Sequence, residues 1–259
     1  MENLLADFLS QGVFAFLIVF VRMGAAITIM PGVGDSFTPQ RIRLIIALAL
    51  SLVLAPMVYD SVPDPIPPVP ILFTLIGIEF IIGLFFGTIA RTFMAALDVA
   101  GMVISLASGL GNAQLFNPGF SSQGSLIGAF FSITGVVILF TTNMHHMLFY
   151  GLLGSYEMFP IGNLPDSGSM AEIMAQTLSS SFMIGVQIGA PFLVVSLVVY
   201  IGMGVLTRLM PQVQVFIMAL PIQIMLSLVT LGLIIPAAFM FWLSKFEDGM
   251  IFFLSNAGG

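Results

Sequence analysis

Apolar positions in this chain fall in long unbroken runs, each separated from the next by a short polar or proline-rich break. Continuous runs predict helices, where a membrane barrel would need strict alternation. Residues 13–30 form the first run, with Arg22 in its middle and Pro31-Gly32 as its stop. The loop 33–43 carries Asp35, Pro39, Arg41 and Arg43. A second run, 44–58, is somewhat short of the roughly 20 residues that cross a bilayer. Residues 59–70 (YDSVPDPIPPVP) predict an extended, acidic, proline-rich connector. The run 71–107 is too long for one span, and Arg91 and Asp98 mark where it is expected to bend or change environment. The next helix is expected over 126–153, turning polar at 141–146 (TTNMHH). A loop follows within 154–168, then a short amphipathic helix over 169–181. The last two runs, 182–206 and 213–243, are joined by a turn at 207–212. Trp242 and Lys245 read as an interfacial anchor.

One break differs from the others. Residues 108–128 (SGLGNAQLFNPGFSSQGSLIG) hold no charge, are rich in Gly, Ser, Asn and Gln, and carry the apolar group Leu115, Phe116 and Phe120. Its open backbone N–H and C=O groups would go unpaired against lipid. The segment must therefore lie at a membrane surface, be buried in protein, or line a watery cavity. Two readings follow: an ordinary re-entrant or interhelical loop, or a gate in which the apolar side chains close a passage by dewetting.

Composition fixes the class. The chain is 59% hydrophobic and 7% charged, where a soluble domain is about a quarter charged, so this is an integral membrane protein. Its net charge of −6 points to neither nucleic acid nor anionic lipid as a partner. Absence of cysteine excludes disulfides, thiolate metal sites and thiol catalysis. Glu2 and Asp7 stand where a secretory signal would carry bases, so the first run is expected to stay in the mature protein. Basic residues give no consistent topology: Arg41 and Arg43 place the first connector in the cytoplasm, yet the baseless acidic loop 156–168 then lands there too. Arg22, Glu79, Asp98 and Arg208 lie in or against apolar segments. Either they are functional intramembrane charges, or these helices bury against other helices, some from other subunits.

Candidate chemistry is sparse. Glu79, Gly83, Gly87 and Arg91 are spaced by four and form one ridge of a helix, whose glycines admit a second helix closely. Glu79 reads either as a proton or cation carrier or as half of a buried ion pair with Arg22 or Arg208. His145 and His146 are adjacent, point about 100° apart on a helix, and cannot chelate one metal well. They read as a proton relay or as an interfacial hydrogen-bonded pair. The 18 methionines read as core, lipid contacts or a soft pore lining. No nucleophile–base set, carboxylate pair, phosphate loop or metal cluster is visible, so an enzyme is not expected and no cofactor is implied.

An ordered set of motifs adds a family. Arg22-Met-Gly24, Pro31, Pro39-Gln-Arg41-Ile-Arg43 and Ala55-Pro56 come first. Residues 83–91 (GLFFGTIAR), Ala100-Gly101, Gly109-Leu110 and Asn117-Pro118-Gly119 follow, then Pro160-Ile-Gly162 and 204–216 (GVLTRLMPQVQVF). Together they resemble the FliR family of flagellar biosynthetic membrane proteins, whose injectisome counterparts are the SctT export-apparatus proteins. The resemblance spans essentially the whole chain as one domain, 1–259. It implies an all-α subunit of long, bent helical hairpins packed against other subunits in the bacterial inner membrane. Such a subunit assembles with FliP and FliQ, with FlhB associated and FlhA nearby, into a gate for unfolded rod, hook and filament proteins. The resemblance also implies a glycine-rich plug loop projecting into a central channel. This falls on residues 108–125, with Leu115, Phe116, Asn117, Pro118, Gly119 and Phe120 as the seal. Arg208, Pro211, Gln212 and Phe216 fall in a patterned turn with a structural or intersubunit role. Two positions depart from the pattern: Met144 replaces a frequent glycine, and Ala219-Leu220-Pro221 stands where Gly-Phe-Pro is common. The alternative reading is a stand-alone ion- or proton-coupled transporter using Glu79, Asp98 and the histidines.

Overall fold

The structure is a computed structural model that describes residues 2–111, 125–211 and 215–255. Among these, every regular element is helical: α1 (Glu2–Ile29), α2 (Gln40–Val58), a short 3-10 turn (Tyr59–Ser61), α3 (Val69–Ala107), α4 (Leu126–Thr141), α5 (Met144–Met158), α6 (Ser167–Leu209) and α7 (Val215–Ser255). The all-α class read from the apolar runs holds. Five helices are long and apolar enough to cross a membrane, and the bent pair α4–α5 makes a sixth if it is one span.

Several boundaries differ from the sequence expectation, each for a physical reason. Helix α3 runs unbroken through Arg91 and Asp98, because a charged side chain removes no backbone donor and each of these finds a polar partner. The expected amphipathic segment 169–181 and the run 182–206 are one 43-residue helix, since the serines at 179–181 do not stop a helix as proline or paired glycines would. Residues 40–43, expected in a loop, form the first turn of α2, and with the 3-10 turn they bring that segment to spanning length. Conversely, the expected helix 126–153 is bent by 79° between α4 and α5. Asn143 supplies the bend in the left-handed conformation (φ 59°), which Asn tolerates best after Gly, so Met144 needs no such freedom. The loop expected within 154–168 begins only at Phe159, after α5 ends at Met158. Trp242 is not an interfacial anchor: it is 1% exposed and packs on Phe246 at 5.4 Å, and α7 continues past it to Ser255.

The described residues gather into two compact units. The first comprises 1–93, 139–177 and 247–259. Phe14, Ala15 and Ile18 of α1 pack there with Leu75 of α3 and with Val62 from the proline-rich connector. Gln11 of α1 donates to the Pro63 carbonyl (3.0 Å), tying the connector down where its prolines offer no donors. The second unit comprises 94–138 and 178–246. There the carboxyl-terminal part of α3 touches α4 backbone to backbone, since a Cβ on Gly101 would sit 2.2 Å from the Gly128 Cα. Ser125 donates to the Gly101 carbonyl (2.9 Å), and Gln223 of α7 donates to the Ala107 carbonyl at the end of α3 (2.8 Å).

Asp166 caps the start of α6. Its carboxylate accepts from the Ser169 hydroxyl (2.6 Å) and from the Gly168 and Ser169 amides (3.2 Å each). The hydroxyl bond first, then the two amide bonds, hold its pKa below the usual carboxylate value. A lowered folded-state pKa means that the cap is fully present above the ordinary carboxylate range and is lost as pH falls through the lowered value. Amide hydrogen exchange in the first turn of α6 is therefore expected to be protected at neutral pH and deprotected below that range. Asp166→Ala should show the deprotected pattern at both pH values; equal protection in variant and parent at neutral pH would overturn the cap.

Candidate functional site

The first unit holds a buried ionic clasp. Arg22 on α1 and Glu79 on α3 are both fully buried. The guanidinium meets the carboxylate with both edges, Nε to Oε2 at 2.6 Å and Nη2 to Oε1 at 3.0 Å. This fork geometry is the strong form of the pair. Nη1 donates to the Ser155 hydroxyl of α5 (3.1 Å) and Nη2 to the Phe159 carbonyl (2.9 Å). The Tyr156 ring lies 3.9 Å beneath the guanidinium carbon, a cation–π contact in a desolvated place.

Sequence places the clasp. Gly83 and Gly87 follow Glu79 at four-residue steps, and Cβ atoms there would lie 2.3 Å from the Arg22 carbonyl and 2.7 Å from the Ala26 carbonyl. Glycine at these two positions lets α3 rest directly on the backbone of α1 and brings Glu79 within reach of Arg22. The pairing rises together along both helices, from Arg22–Glu79 to Ala26–Gly87, so α1 and α3 run parallel, with α2 joining them in the chain. Ser155 and Phe159 are likewise four apart and close the clasp from one face of α5 and its end.

A second cluster organises the turn between α1 and α2. The Asp35 carboxylate accepts from the Gly32 amide (2.7 Å) and pairs with Arg91 of α3. Arg43 donates to the Asp35 and Thr38 carbonyls. The turn is thereby held to α2 and α3 by two arginines.

Of the other sequence candidates, Arg91 joins the second cluster, and Asp98, Arg208, Pro211 and the two histidines join neither. Arg91 is half exposed but paired with Asp35; Asp98 is exposed and accepts from Ser132; Arg208 and Pro211 are exposed. Of the positions expected to be buried or packing, Arg91, Asp98 and Arg208 are thus not buried within this chain. His145 stacks between Phe140 (4.9 Å) and the exposed His146 (4.2 Å) in the first turn of α5. Leu115, Phe116, Asn117, Pro118, Gly119, Phe120 and Gln212 lie outside the described residues. Sequence reading did not anticipate Asp35, Ser155, Tyr156 or Phe159. The lone acid between Gly32 and two arginines was a usable signal for Asp35. The three α5 contacts depend on a helix end that the loop expectation had erased.

The family model described as "Bacterial export proteins, family 1" matches residues 13–249. The flagellar biosynthetic protein FliR of Caulobacter vibrioides is 36% identical over 242 residues, covering 91% of this chain and 94% of its own. The chain belongs to the FliR family. Flagellar biosynthetic protein FliR of Aquifex aeolicus is 29% identical over 232 residues, 90% of this chain and 89% of its own. Yop proteins translocation protein T of Yersinia pestis is 26% identical over 223 residues, 85% of each. As a FliR-family chain with several spanning-length apolar helices, this is a multi-pass membrane component of a flagellar or type III export apparatus. Family membership makes it a structural part of that apparatus.

Proposed function

We propose that this chain is a non-enzymatic subunit of the flagellar export gate in the bacterial inner membrane. It works in complex with FliP and FliQ, beside FlhB and FlhA, passing unfolded rod, hook and filament proteins. The observation that carries the reading is the mismatch between helix length and cover. Helices α3, α6 and α7 have 39, 43 and 41 residues. At 1.5 Å per residue each is about 60 Å long, twice the ~30 Å hydrocarbon core. Only 17% of the most apolar stretch of α7 is buried, and residues such as Met225, Val229, Leu233 and Met240 stand exposed along it. Lipid covers one bilayer thickness of such a surface, and neighbouring subunits are the natural cover for the rest.

In this reading residues 108–125 are the channel plug, with Leu115, Phe116, Asn117, Pro118, Gly119 and Phe120 as its seal. The Arg22–Glu79 clasp is structural. Against a transporter built on Glu79 stands the occupation of both its oxygens by one guanidinium. Purification tests the proposal: the chain is expected to co-purify with FliP and FliQ in fixed ratio. A stable monomer that transports a small solute in liposomes would overturn it.

A further inference from the structure

The second unit is almost without charge. Over residues 94–138 and 178–246 the charged side chains are Asp98, Arg208 and Lys245, so Asp98 is the sole acid. Among the described residues Asp98 pairs with no base; the Ser132 hydroxyl of α4 donates to its Oδ1. A neutral hydroxyl fills one acceptor site and leaves the negative charge unmatched.

Helix packing shows where that charge stands. Helix α4 lies against α3 at Gly101, where a Cβ would meet the Gly128 backbone. Helix α6 lies against Val99 and Val103 of α3, which Cβ atoms on Gly185 and Gly189 would approach to 2.7 and 2.5 Å. At about 100° per residue, Gly101 is about 60° to one side of Asp98, and Val99 and Val103 are about 100–140° to the other. Between these two contacts Asp98, Met102 and Leu106 follow at four-residue steps, a strip about 12 Å long. The strip is open: Met102 is 55% and Leu106 67% exposed, and Asp98 is exposed beside them. It is acidic at one end and apolar along the rest, with α4 and α6 as its two borders.

We propose that this strip seats a helix of a neighbouring subunit, and that Asp98 receives a lysine or arginine from that helix. The inference rests on the reading of the chain as a subunit of an export complex. To that reading it adds one covered face and the chemistry its cover must bring. The apolar residues one and two turns beyond Asp98 offer the bed on which a helix ridge lies between two flanking helices. A helix that covers Met102 and Leu106 also takes Asp98 out of water. A carboxylate removed from water without a cation is costly, so a purely apolar cover, protein or lipid, opposes its own binding here. A base in the covering helix offsets that cost and fixes the register of the two helices.

The full chain expressed and purified with its membrane partners gives the test. Asp98→Asn keeps the shape and an acceptor for Ser132 but removes the charge, and it is expected to lower the yield of assembled complex about tenfold. Asp98→Lys should lower it further. Because Asp98 is exposed within the chain, both variants are expected to unfold at the parent's temperature as the isolated full chain in detergent. In the Asp98→Lys background, lysines and arginines of the partner subunits are then replaced by glutamate one at a time. One replacement is expected to bring assembly back to within about twofold of the parent. Parent-level assembly of Asp98→Asn would overturn the pairing, as would failure of every replacement to restore Asp98→Lys. A lowered unfolding temperature in the isolated variants would overturn it too, by placing the role of Asp98 inside this chain. A parent chain that co-purifies with no other membrane subunit would overturn the export-complex reading, and the pairing with it.

Discussion

Glu79→Ala is expected to destabilise the first unit by about 3–5 kcal/mol, because it leaves the Arg22 guanidinium buried with its Glu79 counter-ion gone. The Ser155 and Phe159 oxygens still accept from Arg22, but neither carries a charge to offset the desolvated cation. Arg22→Ala should cost a similar amount for the mirror-image reason, leaving a bare carboxylate. Thermal unfolding of the purified chain in detergent measures both. The paired replacement Arg22→Met with Glu79→Leu should recover much of the loss, since an apolar pair of similar volume carries no desolvation cost. Independent additivity of the two single costs would show that the residues are not coupled. Glu79→Gln keeps the shape but removes the negative charge opposite Arg22, and it should mainly impair assembly. Normal assembly with lost secretion would favour a proton-handling role for Glu79 instead.

Opening the plug is the second large effect. If residues 108–125 seal the channel, Phe116→Gly with Phe120→Ser removes the apolar constriction while leaving the glycine-rich backbone intact. The assembled complex is expected to form in normal yield and to conduct ions in planar bilayers, at least about tenfold above the parent baseline. Unchanged conductance in a complex of normal composition would remove these phenylalanines from the seal. Loss of the complex itself would instead make them packing residues.

Much of this architecture was legible in the chain, and the failures have a common cause. Helix existence and the α1–α3 contact follow from local rules: apolar runs give the helices, and glycines at 83 and 87 give the close approach. Partnership was harder. Arg22 and Arg208 were equal candidates for Glu79, since both sit in apolar surroundings, and only the parallel packing of α1 on α3 selects Arg22. The observed boundaries differ from expectation where polar residues suggest breaks. Serines 179–181, Arg91 and Asp98 all remain helical, because a polar side chain in a helix needs a partner or water, not a change of backbone. The sharp bend between α4 and α5 instead uses Asn143, an unremarkable letter whose short amide tolerates φ above zero. Trp242 misled for a related reason: tryptophan marks interfaces in lipid-facing helices, and here it faces protein.

Parallel packing of α1 on α3 also sets a timetable for biogenesis. Arg22 leaves the ribosome 57 residues before its counter-ion. At synthesis rates of about 5–20 residues per second, the interval is roughly 3–11 s. During that time α1 holds a lone cation that costs about 2.5–3.5 kcal/mol at a helix centre on insertion scales. In the mature clasp the cation is paired, yet the nascent chain must shelter half of the pair for seconds. Insertion of α1 therefore comes before the charge on Arg22 can be neutralised by Glu79.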